Sequence, residues 1–515
     1  MKNKTYANAS IVTLFSTFER GLGFLYRVVL SRLIGAEGLG LYQISLSLFA
    51  FFLTIGTGGI PITVSRMIAK SKAEGANNES KVLSAGLSLV LFITLPVCFL
   101  LGLFGNRLTF LFSDQRCFSI FRIFLIGLSF SCVYAVFKGY FWGNKNFLLP
   151  SVIDVAEETV MVIVGVLLLG NVSSPAIGAE KAAWAVIISY LFSFTTSLLC
   201  FLFLGGKISS PKKQLKPLFN ATLPITSVRA SGTFITSAIA VILPVMLVKS
   251  GISESEALKL FGMITGMVIP ILFIPATLIG SLALVLVPEL SEDFYKKRED
   301  RLRKNIHRGL KFSFGVACIL LPVFYALGED MGKIAFSSVQ AGILLKKSCP
   351  ILLPMSITMI STSILNSLGF EKKSFLFYIL SEALMLLCVL ILPAVCSIYA
   401  YVIGMGASFS LNAILNLLYL RKKCTFLQKR RGQSRKRFYI PTIFCILPLS
   451  LLGQFLNTLF KRFMGQILAF CASGLCLGIA TFLLYFLLGL IPVRKFLPLQ
   501  NSPPVQRQKK QGFSV

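Results

Sequence analysis

Histidine is nearly missing from this 515-residue chain, where His307 stands alone, and acids are scarce, with 20 Asp and Glu against 51 Lys and Arg. One imidazole leaves almost no material for a His-based triad or a His-rich metal site, so no metal is expected. His307, in a basic segment, reads as a solvated bystander. The 12 cysteines contain no CxxC pair, and Cys98, Cys132, Cys200, Cys388 and Cys471 fall in or beside apolar stretches. They read as small packing residues. No polar stretch is long enough to hold a soluble domain, which argues against a receptor. The expected outward loops carry only scattered acids such as Asp114, Glu180 and Asp330, too little for a membrane transferase or ligase, so an enzyme is not expected. No cleavable signal peptide is expected either, because the first apolar segment is long and Glu19-Arg20 interrupts it.

What the chain has is apolar length. With 55% hydrophobic residues, 14% charged residues and a mean hydropathy of +0.79, it reads as an integral membrane protein. At about 20 apolar residues per helical crossing, an all-α, polytopic fold with about fourteen transmembrane helices follows. The predicted spans are 9–30, 41–65, 82–105, 118–141, 150–169, 182–204, 218–248, 260–287, 310–327, 349–368, 375–396, 398–420, 438–459 and 465–491. The break at 393–397 is inferred from length, since the joined run is roughly twice what one helix needs.

The net charge of +31 follows topology better than it follows nucleic acid, which is not an expected partner. With alternate loops assigned inward from the N-terminus, about 34 Lys and Arg fall inside, about 11 outside and about 6 in spans. The main contributors are 66–81, 207–216, 296–308, 421–437 and a tail with Arg494, Lys495, Arg507, Lys509 and Lys510. Both termini are therefore expected on the cytoplasmic side, with the basic runs close to anionic lipid.

A weak repeat organises the chain. Trp142-Gly143-Asn144-Lys145-Asn146-Phe147 precedes Glu157, and Leu368-Gly369-Phe370-Glu371-Lys372-Lys373 precedes Glu382. Six spans separate the copies, which corresponds to parallel repeats about an axis along the membrane normal. The expected organisation is a six-helix lobe over 1–206, a second over 207–424 related by a pseudo-two-fold axis, and two extra helices with a basic tail over 425–515. The basic loop 289–308 falls inside the second lobe.

Three charge clusters intrude at membrane depth, where an ionised group is costly unless it faces protein, water or ligand. Arg20, Gly23 and Arg27 lie at i, i+3 and i+7, on one helix face beside Glu19. Guanidinium is permanently charged and offers a donor fork suited to phosphate oxygens. The bland alternative is an ion pair that locks helices together, and Arg27 is also placed to snorkel outward. Asp154, Glu157 and Glu158, at i, i+3 and i+4, would repel one another unless protonated or countered. They suit a coupling Na+ or H+, or serve as countercharge for Arg20, Arg27 or Arg229. Glu382 is the matching acid of the second lobe. Arg229 shares its span with Pro224, Ser227, Ser231, Gly232 and Pro244, so a kinked helix lining a cavity is expected. A two-sided cationic pocket of Arg20, Arg27 and Arg229 follows. Lys138 and Arg122 read as interfacial anchors, and Pro270 with Pro275 as packing kinks or hinges.

The residues also carry a resemblance. Gly21-Leu22-Gly23-Phe24-Leu25-Tyr26-Arg27, Gly35-Ala36-Glu37-Gly38-Leu39-Gly40-Leu41-Tyr42-Gln43, Gly59-Ile60-Pro61-Ile62-Thr63-Val64-Ser65 and Leu286-Val287-Pro288-Glu289-Leu290-Ser291-Glu292 resemble the stage V sporulation protein B family. That family sits in the multidrug, oligosaccharidyl-lipid and polysaccharide exporter superfamily, which includes the lipid II flippases. The resemblance implies two six-helix lobes around a cavity, two further helices, and movement of a lipid-linked sugar for cell-wall or spore-cortex building. The chain departs from the family in span five, where Glu157 is kept but Met161 stands in place of an Arg. The expected function is a flippase for a pyrophosphate-linked saccharide working by alternating access, with membrane lipids as partners and no cofactor beyond a coupling ion. The rivals are a cation-coupled exporter of small amphipathic compounds and a non-transporting scaffold for cell-wall synthesis enzymes.

Overall fold

The turn between the first two crossings is made at one residue. In the computed structural model, which describes residues 2–75, 78–104, 112, 114–170, 172–424 and 441–487, Gly35 adopts φ 69° and ψ −179° inside an otherwise continuous helix, α1 (Lys2–Thr57). Glycine reaches this backbone region without a Cβ penalty. The second crossing continues past a break at Gly58-Gly59 into α2 (Ile60–Ala73), with Pro61 in its first turn, a position where the missing N–H costs nothing.

Four more crossings complete the first lobe: α3 (Glu79–Phe104), α4 (Gln115–Gly143), α5 (Leu148–Leu169) and α6 (Pro175–Phe203). Side chains fix two of their starts. Asp114 accepts from Arg116 N at 2.7 Å, and Ser174 accepts from Ile177 N at 3.4 Å, each satisfying an orphan donor of the first turn.

The second lobe opens with α7 (Lys212–Lys249), which stays helical through Pro217, Pro224 and Pro244. The segment around Arg229, where a kinked helix is expected, keeps helical backbone. A break in the helix lies in the next crossing. There α8 (Glu254–Gly262) passes through a π-turn at Met263–Val268 into α9 (Ile269–Leu272), and after Phe273 into α10 (Ile274–Tyr295). Pro270 and Pro275 flank that break.

The basic loop expected over 289–308 is mostly helix. After a short turn, α11 (Glu299–Phe336) begins at the charges themselves. Its Leu302 and Ile306 are each 2% exposed and pack against Leu286, Leu290, Leu420 and Cys424. An apolar i, i+4 pair inside the charged run gives the helix a face to bury. His307 is therefore a helical, half-buried residue whose Nδ1 lies 2.9 Å from Arg303 O.

The lobe closes with α12 (Val339–Ser348), α13 (Leu352–Ser367), α14 (Glu371–Ile391), the short α15 (Pro393–Cys396) and α16 (Tyr399–Lys423). The break expected at 393–397 is present, with Ser397 at φ 51°. A separate unit holds α17 (Ile446–Phe463) and α18 (Gln466–Leu487), which pack on each other. Gly453, Asn457, Ala469 and Ser473 supply small or polar residues to that pair. Residues 425–440 and the tail from Arg494 lie outside the described residues, so most of the run 421–437 does too.

Thirteen helices among the described residues are long and apolar enough to cross a membrane. The first and fifth expected spans are not among them because of the charges they carry, and the eighth counts twice because of its break at Phe273. Fourteen helical passages remain. The chain is an all-α, multi-pass membrane protein, and no strand occurs among the described residues.

The repeat is visible in the turns. Lys145 (φ 61°) and Gly369 (φ 79°) occupy the same left-handed position. Asn146 N donates to Phe141 O at 2.9 Å and Phe370 N to Leu365 O at 3.0 Å, closing the same helix-ending turn. The offset of 224 positions between Lys145 and Gly369 carries Glu158, rather than Glu157, onto Glu382.

Candidate functional site

In the first lobe the charged residues sit where α1, α4 and α5 meet. Small residues set that contact. A Cβ added at Gly23 would lie 2.7 Å from Glu158 Oε1, and one at Gly165 would lie 2.5 Å from the Tyr26 hydroxyl. Gly23 therefore makes room for a carboxylate, and Gly165 makes room for an aromatic ring.

Asp154 has partners of its own. Lys138 Nζ lies 2.6 Å from Asp154 Oδ2, and the Tyr134 hydroxyl donates to Oδ1 at 2.6 Å. Lys138 also lies over the rings of Tyr134 and Trp142, so it is an ion-pair member rather than an interfacial anchor. Glu19 is half-buried near this pair and beside Arg20. Glu157 reaches Ser193 of α6, and Glu158 lies near Glu19 and Arg27. Among the described residues no group of three or more His, Cys, Asp or Glu is arranged to hold a metal ion.

The second site is open space between and within the lobes. A cavity of about 490 Å³ lies between α1, α7 and α14, lined by Thr54, Thr57, Arg229, Gly232, Thr233 and Tyr378 among others. Arg229 is exposed there. A second cavity of about 510 Å³ lies among α7, α13, α14 and α16 and shares Val228, Phe375 and Tyr378 with the first. Both volumes fall within the roughly 300–1,000 Å³ usual for small-molecule sites.

The expected two-sided cationic pocket is one-sided. Of the three arginines, Arg229 lines the cavity. Arg20 is exposed on α1, Arg27 lies beside Glu158 and Tyr42, and neither lines either cavity. Among the expected carboxylates, Glu382 lines the second cavity, while Glu19, Asp154, Glu157 and Glu158 stay in the first-lobe cluster.

Charge-led reading missed the uncharged lining. Thr358, Thr362 and Asn366 of α13 are spaced i, i+4, i+8, and Ser408 and Asn412 of α16 are spaced i, i+4. Polar stripes at helical spacing inside apolar helices were the signal that could have found them.

The second cavity reaches toward the helix ends that carry the basic turns, since Asn366 and Glu371, which line it, flank one of those turns. The opposite face is closed between the lobes. Arg32 Nε donates to Ala335 O at 2.9 Å, and its Nη2 donates to Ile334 O. Glu37 accepts from Arg116 at 2.8 Å and from Ser255 at 2.9 Å. Gly40 and Gly262 bring α1 and α8 together backbone to backbone, so that a Cβ on either would overlap the other helix.

Comparison with known proteins agrees with this architecture. Residues 5–294 match the family described as polysaccharide biosynthesis protein. Stage V sporulation protein B of Bacillus subtilis (strain 168) is 25% identical over 374 residues, covering 68% of this chain and 71% of that protein. The lipid II flippase MurJ of the same organism is 27% identical over 174 residues, 32% of each chain. A structure of lipid II flippase MurJ in an inward closed conformation superposes with a TM-score of 0.67 at 16% identity, covering 93% of this chain and 99% of that one. An inward-facing multidrug resistance transporter of the MATE family and MOP superfamily gives 0.67 at 14% identity, over 80% and 96%. With more than half of its length matched, this chain belongs to the polysaccharide biosynthesis protein family.

Proposed function

We propose that this protein is a flippase that moves a pyrophosphate-linked saccharide, a cell-wall or spore-cortex precursor, across the cytoplasmic membrane by alternating access. The observation that carries the reading is Arg229, a permanent cation exposed in an interlobe cavity. A guanidinium in such a place needs an anion, and phosphate oxygens match its planar fork. The similarity to a sporulation protein and to a lipid II flippase supports a lipid-linked substrate. Arg20, exposed on α1 and lining neither cavity, is no part of this anchor, while Arg27 serves as countercharge to Glu158. The excess of Lys and Arg on one set of loops supports an orientation with both termini and the mouth of the second cavity on the cytoplasmic side. The lipid chain stays in the bilayer while its headgroup crosses.

Native mass spectrometry of the purified protein tests this. A polyprenyl pyrophosphate lipid is expected to co-purify, and Arg229→Ala should remove it by tenfold or more, about the worth of a charge-assisted hydrogen bond. Retention of that lipid by the variant, with loss of cation export in Glu157→Gln or Glu382→Gln, would instead identify a cation-coupled exporter. A scaffold for cell-wall enzymes would tolerate both sets of substitutions.

A further inference from the structure

The second-lobe cavity has the wrong chemistry for phosphate. Glu371 and Glu382 line it, and no Lys or Arg does. At about 1.5 Å per residue, Glu382 lies roughly 16 Å deeper along α14 than Glu371, so the two carboxylates mark the mouth and the middle of one space. Between them lie neutral donors and acceptors: Thr362, Ser374, Ser408 and Asn412. Asn412 is 5% exposed, and its side-chain oxygen has no hydrogen-bond partner. A buried amide left half unpaired is costly unless something pairs with it. The side-chain oxygen of the neighbouring Asn416 is unpaired as well, but its amide nitrogen donates to Ser361 at 3.1 Å and Thr362 at 3.0 Å, and Asn416 does not line the cavity.

The walls add flat apolar faces from Phe375, Tyr378 and Phe409. Tyr378 closes on α7 over Gly232, where an added Cβ would lie 3.2 Å from its hydroxyl. This contact stands where the two cavities share residues. A ligand anchored at Arg229 would thus extend past Tyr378 into the second space.

We infer that the second-lobe cavity is a saccharide subsite, in which Asn412, Ser408 and Glu382 take the hydroxyl or amide groups of the sugar next to the phosphate held at Arg229. Mixed donors and acceptors suit a hydroxyl-rich ring, carboxylates accept from its hydroxyls, and aromatic faces cover its C–H surface. A small organic cation would use the carboxylates and rings but would leave the hydroxyl and amide groups idle. The inference rests on the reading of Arg229 as the phosphate site, and its test separates the two.

Binding of two probes to the full-length protein in lipid nanodiscs is compared: undecaprenyl pyrophosphate, and undecaprenyl pyrophosphate bearing the disaccharide-pentapeptide. Wild type should prefer the sugar-bearing lipid by about tenfold, the scale of one or two hydrogen bonds to neutral groups. Asn412→Leu should lose most of that preference while binding the sugar-free lipid as wild type does. Ser408→Ala, a smaller change, should move the same ratio a few-fold and serves if Asn412→Leu does not fold. Absence of preference in wild type, or an unchanged ratio in the folded variants, overturns the subsite. Arg229→Ala should weaken both probes alike. Undiminished binding of the sugar-free lipid by Arg229→Ala overturns the phosphate reading, whatever Asn412→Leu does.

Discussion

Tyr26 and Gly165 show how tightly single residues are fitted at the contact between α1 and α5. The Tyr26 side chain is 2% exposed and its hydroxyl has no hydrogen-bond partner. Gly165→Ala would put a methyl 2.5 Å from a ring carbon as well as from the hydroxyl. It should cost about 1–3 kcal/mol, as overpacking does, and lower the thermal midpoint of the purified protein. Tyr26→Phe removes an unpaired polar atom and should leave that midpoint unchanged or raise it. It should not rescue Gly165→Ala, because the ring carbons remain in place. The pair Lys138–Asp154, 24% and 16% exposed, allows a second test. Lys138→Met leaves Asp154 without its countercharge and should destabilise by about 3–5 kcal/mol, whereas adding Asp154→Asn should recover much of the loss. Equal midpoints for the single and double variants would show that Tyr134 alone satisfies Asp154. Sequence spacing put Asp154, Glu157 and Glu158 on one helix face. It could not show that Lys138, sixteen residues away on another helix, takes the first of them, because pairing across helices depends on packing that no local pattern encodes.

At the level of the helix, apolar length alone placed most crossings, and it failed where a polar surface hides a helical one. The stretch from Glu299 reads as a loop by charge, yet Leu302 and Ile306 give it a buried stripe. Replacing either with Ser should cost about 2–5 kcal/mol, as other losses of core side chains do. Arg301→Ser or Lys304→Ser, on the exposed face, should change the thermal midpoint little. A similar drop for both pairs would mean that charge rather than docking holds the helix start. Proline was an uneven guide. Three prolines leave α7 helical, while Pro270 and Pro275, read as kinks or hinges, do flank the break at Phe273. Helix irregularity depends on what neighbours re-satisfy the backbone, and that is a property of the assembled lobe.

Across the whole first unit, a cavity that reaches toward the basic-turn face and interlobe contacts on the opposite face are the arrangement that the proposed alternating access would need in one of its two states. The seal has two kinds of parts. Arg32 and Glu37 contribute hydrogen bonds, which exchange readily with water. Gly40 against Gly262 contributes close backbone approach, which tolerates no added atom. Gly262→Ala should therefore shift the population toward the opposite opening more than Arg32→Ala does, because steric overlap cannot be relieved without moving α8 away from α1. A cysteine placed at Thr236 in the Arg229 cavity reports the shift in whole cells treated with a membrane-impermeant thiol reagent. Labelling at Thr236→Cys above that of the parent chain should be low in the otherwise unaltered protein, modestly raised by Arg32→Ala and strongly raised by Gly262→Ala. Strong labelling without either substitution would mean that the basic face lies outside, reversing the orientation drawn from the Lys and Arg bias. Low labelling in all three would mean that the glycine contact is not the seal, and that the lobes separate without breaking it.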